Sequence, residues 1–444
     1  MICAFLALLT FTEFPSELKR VISQIDKDHE ASQTKQEQPE NVKNEEEQSS
    51  SKKEIQQDRL LLPQLEEKFS KSQAYGYDKI TFGIFSSVYG TIETIVFLLL
   101  GFLPYMWDKA AAIVGKDSSE IRISLMFLVL VTLVGMVTSL PFELYSTFRI
   151  EKKHGFNKQT IGLFFSDKVK SLLLSFLIGG PFTALLLKII HWGGEYFYLY
   201  VWAFLFVFSV IMMTVYPVLI MPLFNKYEPL PDGKLKESIY ALADRLKYPL
   251  TKLFVMDGSK RSSHSNAFMF GFGRNKRIVL FDTLLQQVKD QEILGILGHE
   301  LGHWKLGHTL TNFAVTQLYF GAAFYCFSLC IDNSKELFAA FGFSTHRPVP
   351  TIIALLLFFQ TIWAPLDKVI SFLMTLHSRH AEFAADKFSV DLGMSKELQT
   401  GLCKIHLENL GAMCPDWLYS TYHYSHPPLV ERLSAMIRLE KKMK

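Results

Sequence analysis

Six stretches of this chain are apolar over enough length to cross a bilayer, at about 81–106, 122–144, 170–190, 195–221, 309–331 and 350–376. A helix needs roughly 20 such residues to span the hydrocarbon core. Six of them in one chain predict a polytopic membrane protein rather than a soluble one with buried helices. Glu93, Asp367 and Lys368 interrupt these spans. Charges at that depth face one another or a hydrated cavity.

The remaining segments are polar and give the domain organisation. Met1 to Phe11 is apolar but shorter than a span, with no basic start and no small-residue cleavage site, so 1–23 is read as a partial first membrane segment. Residues 24–59 are rich in Glu, Lys, Gln and Ser and bury too little apolar surface to offset ordering entropy, which predicts a disordered charged linker. Membrane helices fill 60–221, and two more fill 309–376. Between them, 222–308 is the most soluble-looking part, and 377–444 forms a second polar portion. Lys234 to Lys247 has helical periodicity, and Lys252 to Met256 suits a strand. Phe268–Phe272 and Arg277–Phe281 read as a hairpin, and a helix starts near Asp290 as N-cap.

Charge sets the orientation. The 145–170 connection carries Arg149, Lys152, Lys153, Lys158, Lys168 and Lys170, whereas 107–121 and 332–349 hold few basic residues. By the positive-inside rule the first side is cytosolic, and counting spans places 222–308 and 377–444 there too. Hydrophobic residues make up 49% of the chain and charged ones 20%, below the soluble norm of about 25%. A net charge of +3 without a long basic patch is too small to argue for a nucleic-acid partner, and none is expected. The five cysteines form no closely spaced framework, which argues against a secreted disulfide scaffold.

The chemistry lies in His299-Glu300-Leu301-Gly302-His303. Histidines four apart share one helical face, so both imidazoles reach a single zinc ion, and Glu300 beside them can take a proton from its water. A catalytic zinc needs a third protein ligand. His308 stands off the ligand face, as a surface residue or a neighbour of a ligand. Downstream, Glu382 and Asp386 are four apart, which suits a carboxylate ligand followed one turn later by an acid that orients a ligating histidine. Spacing leaves His377 and His380 as rival ligands, and an ordinary acidic helix face as the alternative. In the cluster around Tyr422–Arg432, His426 can donate to an oxyanion and Arg432 can orient a peptide carboxylate. Ser265-Asn266-Ala267 offers an edge strand and a side-chain amide to an extended peptide, or plain turn chemistry.

Taken together, these residues resemble the CaaX prenyl protease 1 family of membrane zinc proteases. The matching stretches are Glu151-Lys152-Lys153-His154-Gly155-Phe156-Asn157, Gly258 to Ala267, Asn275 to Leu285, Gly298 to Thr309, and His423-Tyr424-Ser425-His426-Pro427-Pro428-Leu429. They occur in the family's order from about Leu60 to the end, although only half of the family's first transmembrane helix stands before Glu13. The resemblance implies His299, His303 and Glu382 as zinc ligands and Glu300 as general base. It also implies Asp386 as the supporting acid, Asn266 on the substrate strand, and His426 and Arg432 facing the scissile peptide.

The implied fold is an all-α polytopic membrane protein, a seven-helix intramembrane barrel around a hydrated chamber, with a small α+β zinc-protease domain on the cytosolic side. The implied partners are membrane lipid and prenylated CaaX proteins, which lose their C-terminal tripeptide. Lamin-type precursors would undergo a second cleavage upstream. A broader quality-control protease and a non-catalytic scaffold are the alternatives, and a structural zinc site has no use for Glu300. The tail Lys441-Lys442-Met443-Lys444 resembles a dilysine retrieval signal, consistent with the endoplasmic reticulum membrane and its extension into the inner nuclear membrane.

Overall fold

The computed structural model describes residues 14–33, 60–331, 341–343 and 349–443. Helix α1 (Ser16–Gln33) is not among the helices long and apolar enough to cross a membrane. Leu18, Val21, Ile22 and Ile25 recur at helical spacing and are all buried in the same core as the four-stranded sheet described below. Residues 24–33 of the linker expected over 24–59 are therefore helical. Asp26 is the reason: its carboxylate accepts the backbone N–H groups of Leu61 and Leu62, each at 2.9 Å. Those are donors that a helix N-terminus cannot satisfy internally. Residues 34–59 and the apolar start at 1–13 lie outside the described residues.

Helix α2 (Leu61–Leu99) opens with Leu61, Leu65, Phe69, Ser72 and Tyr75 buried, and farther along its apolar residues Phe85, Ile92 and Leu98 are exposed. The span expected at 81–106 is thus the second half of a longer helix, and it stops early. Gly101 takes a left-handed φ of 63°, and a new helix, α3 (Phe102–Val114), starts there. Next come α4 (Glu120–Tyr145), prolonged by a π-helical turn at Ser146–Glu151, then α5 (Ile161–Trp192) and α6 (Phe197–Val215).

The polar segment follows with β1 (Tyr227–Pro229), α7 (Lys234–Leu246), β2 (Leu250–Met256), and the hairpin β3 (Ala267–Phe272) and β4 (Asn275–Phe281). Strand order is β1-β2-β4-β3, with β2 and β4 parallel and the other pairs antiparallel, so β3 is an edge strand. Helices α8 (Asp282–Gln287) and α9 (Asp290–Lys305) lead to the membrane helix α10 (His308–Ile331). Asp290 is the first residue of α9 rather than its cap. The Lys289 N–H is held by the Glu292 carboxylate at 2.7 Å, whose other oxygen pairs with Lys404 Nζ at 2.7 Å.

The segment expected as one span at 350–376 is broken. Helix α11 (Thr351–Leu357) continues through a π-helical turn to Ile362, and the chain bends 61° into α12 (Ala364–Asp391). Pro365 suits the first turn of α12, where its missing N–H costs nothing. Asp367 accepts from the Tyr319 hydroxyl at 2.8 Å, and Tyr319 in turn accepts from Trp363 Nε1 at 2.8 Å, which satisfies a charge at membrane depth. Glu93 lines a cavity of about 210 Å³ with Thr94, Thr138 and Gln360. Among the described residues, five helices are long and apolar enough to cross a membrane, or six with the bent pair. The seventh span of the resemblance falls on the start of the chain outside those residues.

Helix α13 (Ser395–Glu408), α14 (Trp417–His423) and α15 (Leu429–Met443) complete the fold. Ile293, Leu297 and Leu301 place α9 in the middle of the domain core. At Gly295 a Cβ would stand 2.6 Å from the Leu398 nitrogen, so only glycine lets α13 cross α9 that closely. The same crowding brings α12 alongside, where Ser389 Oγ donates to the Gly295 carbonyl at 3.1 Å. That contact fixes the register of the two helices that carry the site.

Candidate metal centre and active site

His299 and His303 project from adjacent turns of α9, with their Nε2 atoms 3.1 Å apart. Helix α12 supplies Glu382, whose oxygens lie 3.5 Å from His299 Nε2 and 3.2 Å from His303 Nε2. Tetrahedral ligands about 2.0–2.1 Å from a zinc ion stand roughly 3.3 Å from one another. The three observed separations bracket that value, so the donor set fits a small divalent cation. No other group of three or more potential ligands is close enough for a metal among the described residues. Of the three candidates on α12, Glu382 belongs to this group, while His380 is exposed and His377 stays outside it.

Each histidine is oriented from behind. His299 Nδ1 lies 2.9 Å from Asp386 Oδ1, which directs Nε2 toward the metal position. His303 Nδ1 shares a hydrogen bond of 2.9 Å with His308 Nδ1. His308 thus backs His303, and the turn at Gly307 (φ 74°) brings it back onto α9. Burial opposes a charge on His299, but the hydrogen bonds to Asp386 and Glu382 prevail and push its pKa up to about 9. The surrounding carboxylates suit a cation, and a metal ion held there would take the place of that proton. Burial also raises the Glu300 carboxyl above its ordinary value, ahead of the opposing pull of His299 and His303.

Arg432 differs from the sequence expectation. It is buried, its Nε donates to Asp386 Oδ2 at 2.8 Å, and a terminal nitrogen donates to Asp386 Oδ1 at 2.6 Å. Its other terminal nitrogen stands 3.5 Å from Glu382 Oε2. A guanidinium so engaged braces the ligand set, and a peptide carboxylate would have to displace these partners to reach it. His426 lies on the open side, 69% exposed in its side chain, with Nδ1 2.9 Å from Glu382 Oε2.

Arg379 anchors the loop that carries His426, and sequence reasoning passed it over. It is buried, donates to the Ser420 and Tyr424 carbonyls at 3.3 and 3.4 Å, and pairs with Glu431 at 2.8 Å. Its place three residues before Glu382 on α12 was the available signal. Asn266 is exposed at the head of edge strand β3, where its side-chain oxygen accepts the Ala267 N–H at 2.8 Å.

Two family models match the chain. Residues 12–226 match the CAAX prenyl protease N-terminal model with five membrane helices, and 229–440 match peptidase family M48. A CAAX prenyl protease 1 homolog of Arabidopsis thaliana is 50% identical over 382 residues, covering 85% of this chain and 89% of the relative. The Homo sapiens homolog is 44% identical, covering 83% and 86%, and the Saccharomyces cerevisiae protein is 40% identical, covering 85% and 88%. The crystal structure of S. mikatae Ste24p superposes with a TM-score of 0.77 at 38% identity, covering 96% of this chain and all of that one. With its membrane helices, its His-His-Glu metal group and these matches, the chain belongs to the CAAX prenyl protease 1 branch of the M48 metallopeptidases.

Proposed function

We propose that this protein is a zinc endopeptidase that removes the C-terminal tripeptide from prenylated CaaX proteins, with His299, His303 and Glu382 as ligands and Glu300 as base. The observation that carries this reading is the set of His299, His303 and Glu382 donor atoms 3.1–3.5 Å apart, with a half-buried carboxylate one residue from the first histidine. A structural metal site needs no such base. Bound there, zinc supplies Lewis-acid polarisation of the scissile carbonyl and makes a water acidic enough to react near neutral pH.

The chain's own residues do the rest. Glu300 takes a proton from the attacking water and passes it to the leaving amine as the peptide bond breaks. The Glu300 pKa, raised by burial, suits both halves of that exchange. Asp386 and His308 hold the two imidazoles in the tautomer that presents Nε2. Arg432 keeps Asp386 ionised and in place. His426, exposed beside Glu382, donates to the oxygen on which charge develops. Asn266 and the free side of β3 align the peptide as an added strand.

The basic 145–170 connection supports a site on the cytosolic face, where prenylated substrates are made, and the reading carries the endoplasmic reticulum membrane with it. The decisive experiment is an assay of the purified chain on a farnesylated CaaX peptide. Cleavage after the prenylated cysteine, abolished by a chelator and restored by zinc, is the expected result. Chelator-resistant cleavage, or none, would overturn the reading.

A further inference from the structure

Helix α2 separates two cavities. One, of about 710 Å³, lies against Phe82, Phe85, Phe142 and Tyr145, and its lining includes no residue from the sheet-containing domain. The other, of about 610 Å³, follows a different face of α2 past Ile80, Gly83, Ile84 and Val88, and its lining then passes to His264, Asn409 and Tyr424. Its volume falls in the range of small-ligand sites, and its α2 wall mixes Ile80, Ile84 and Val88 with Lys79, Ser87 and Thr91 before the lining reaches the polar His264, Asn409 and Tyr424.

Those polar residues belong to the frame of the peptide site. The Asn409 side-chain oxygen accepts the Ser265 N–H at 3.3 Å and lies 3.2 Å from His264 Nδ1, which fixes the turn that leads through Asn266 into β3. His264 stacks on Phe156 with ring centroids 4.0 Å apart, and its Nε2 stands 3.7 Å from Glu151. Glu151 in turn accepts from the Tyr75 hydroxyl of α2 at 2.8 Å. On the other side, Tyr424 is two residues before His426, which touches Glu382. Two residues of chain reach at most about 7 Å.

We propose that this second cavity receives the isoprenoid of the substrate's prenylated cysteine, with the lipid laid along α2 and the cysteine backbone held between the His264 turn and the His426 loop. The assignment rests on the CaaX reading above. Cleavage directly after the prenylated cysteine requires its thioether lipid to leave the peptide within one residue of the reacting carbonyl. A cavity whose lining ends two residues from both Asn266 and His426 meets that requirement, and the aromatic cavity does not. Gly83 sets the available depth. It lines the cavity, and a Cβ built on it meets no atom within 4 Å, so a larger side chain there occupies the lipid's space without moving the helix.

The test compares full-length protein in nanodiscs on one CaaX peptide carrying either farnesyl or the longer geranylgeranyl chain. Gly83→Leu should lower kcat/KM for the geranylgeranyl peptide roughly tenfold more than for the farnesyl peptide, through KM. Gly90→Leu, equally free of contacts and lining neither cavity, should keep the wild-type ratio. An unchanged ratio in Gly83→Leu, an equal loss on both lipids, or the same shift in Gly90→Leu would overturn the assignment while leaving the CaaX reading intact. A wild-type enzyme that cleaves neither peptide would sink both. Photolabelling of the wild-type chain with a diazirine-bearing farnesyl peptide removes any dependence on how the variants fold. Adducts belong on Ile80, Ile84 or Val88, and adducts confined to Phe82, Phe85 and Phe142 would refute the proposal.

Discussion

Arg432 and Asp386 form a two-pronged ion pair sealed behind the metal ligands, Nε to Oδ2 at 2.8 Å and a terminal nitrogen to Oδ1 at 2.6 Å. The same Asp386 oxygen lies 2.9 Å from His299 Nδ1, so α15, α12 and α9 meet at one carboxylate. Both partners are at least nine-tenths buried, which makes the pair costly to break from either side.

Removing the arginine should therefore disturb the metal before it disturbs the substrate. Arg432→Ala strands a buried carboxylate and should weaken zinc binding about 10- to 100-fold, with Arg432→Lys intermediate because it keeps the charge and loses the fork. Competition with a fluorescent chelator measures this. Unchanged zinc affinity with a raised KM would return Arg432 to the role of a substrate-carboxylate anchor.

Glu300 is adjacent to the ligands without being one of them. Glu300→Gln should retain one zinc per chain and lose turnover by about a thousandfold. A variant that cleaves the farnesylated peptide at near the parental rate would refute the assigned base.

The third ligand separates cleanly from its neighbours on α12. Glu382→Ala should lose zinc, whereas His377→Ala and His380→Ala should retain it, since only Glu382 joins the donor triangle. Metal analysis of the three purified variants decides the matter, and the reverse pattern would move the ligand to a histidine.

His406 makes stability depend on pH away from the metal. Its ring presses on Gly411, its Nε2 is out of solvent's reach without a hydrogen-bond partner among the described residues, and burial lowers its pKa to about 4. The Gly411 and Ala412 backbone opposes that shift only in part. The unfolded chain binds a proton here near pH 6.5, so His406 contributes stability above that pH and loses it as pH falls toward 4. His406→Asn should flatten the fall of Tm between pH 6.5 and 4 relative to the parent protein. Parallel Tm–pH curves for the two proteins would contradict this.

Much of this molecule is local and can be read directly along the chain. Hydropathy finds spans because a bilayer imposes a length on any helix that crosses it. The His299–His303 spacing puts both imidazoles on one face of α9 because a helix repeats its face about every four residues. The hairpin carrying β3 follows from two alternating runs around Gly273, and all three features stand in the structure. Composition misleads where a short-range pattern serves a distant partner. The charged stretch from 24 to 33 is helical because Asp26 caps α2, and the first turns of α2 join the protease core rather than the membrane.

What only the tertiary structure decides is which side chains converge. Glu382, His377 and His380 are equivalent on paper, and the packing of α12 against α9 brings Glu382 to both His299 and His303. His308 becomes a partner of His303 because a left-handed glycine turns the chain back onto α9. Arg432, which the sequence offered as an orienter of a peptide carboxylate, is buried against Asp386 because α15 packs its apolar face onto α12 and α13. Periodicity fixes which face of its own helix a residue occupies. The neighbour that meets that face is set by packing between segments far apart in the chain, which no local pattern encodes.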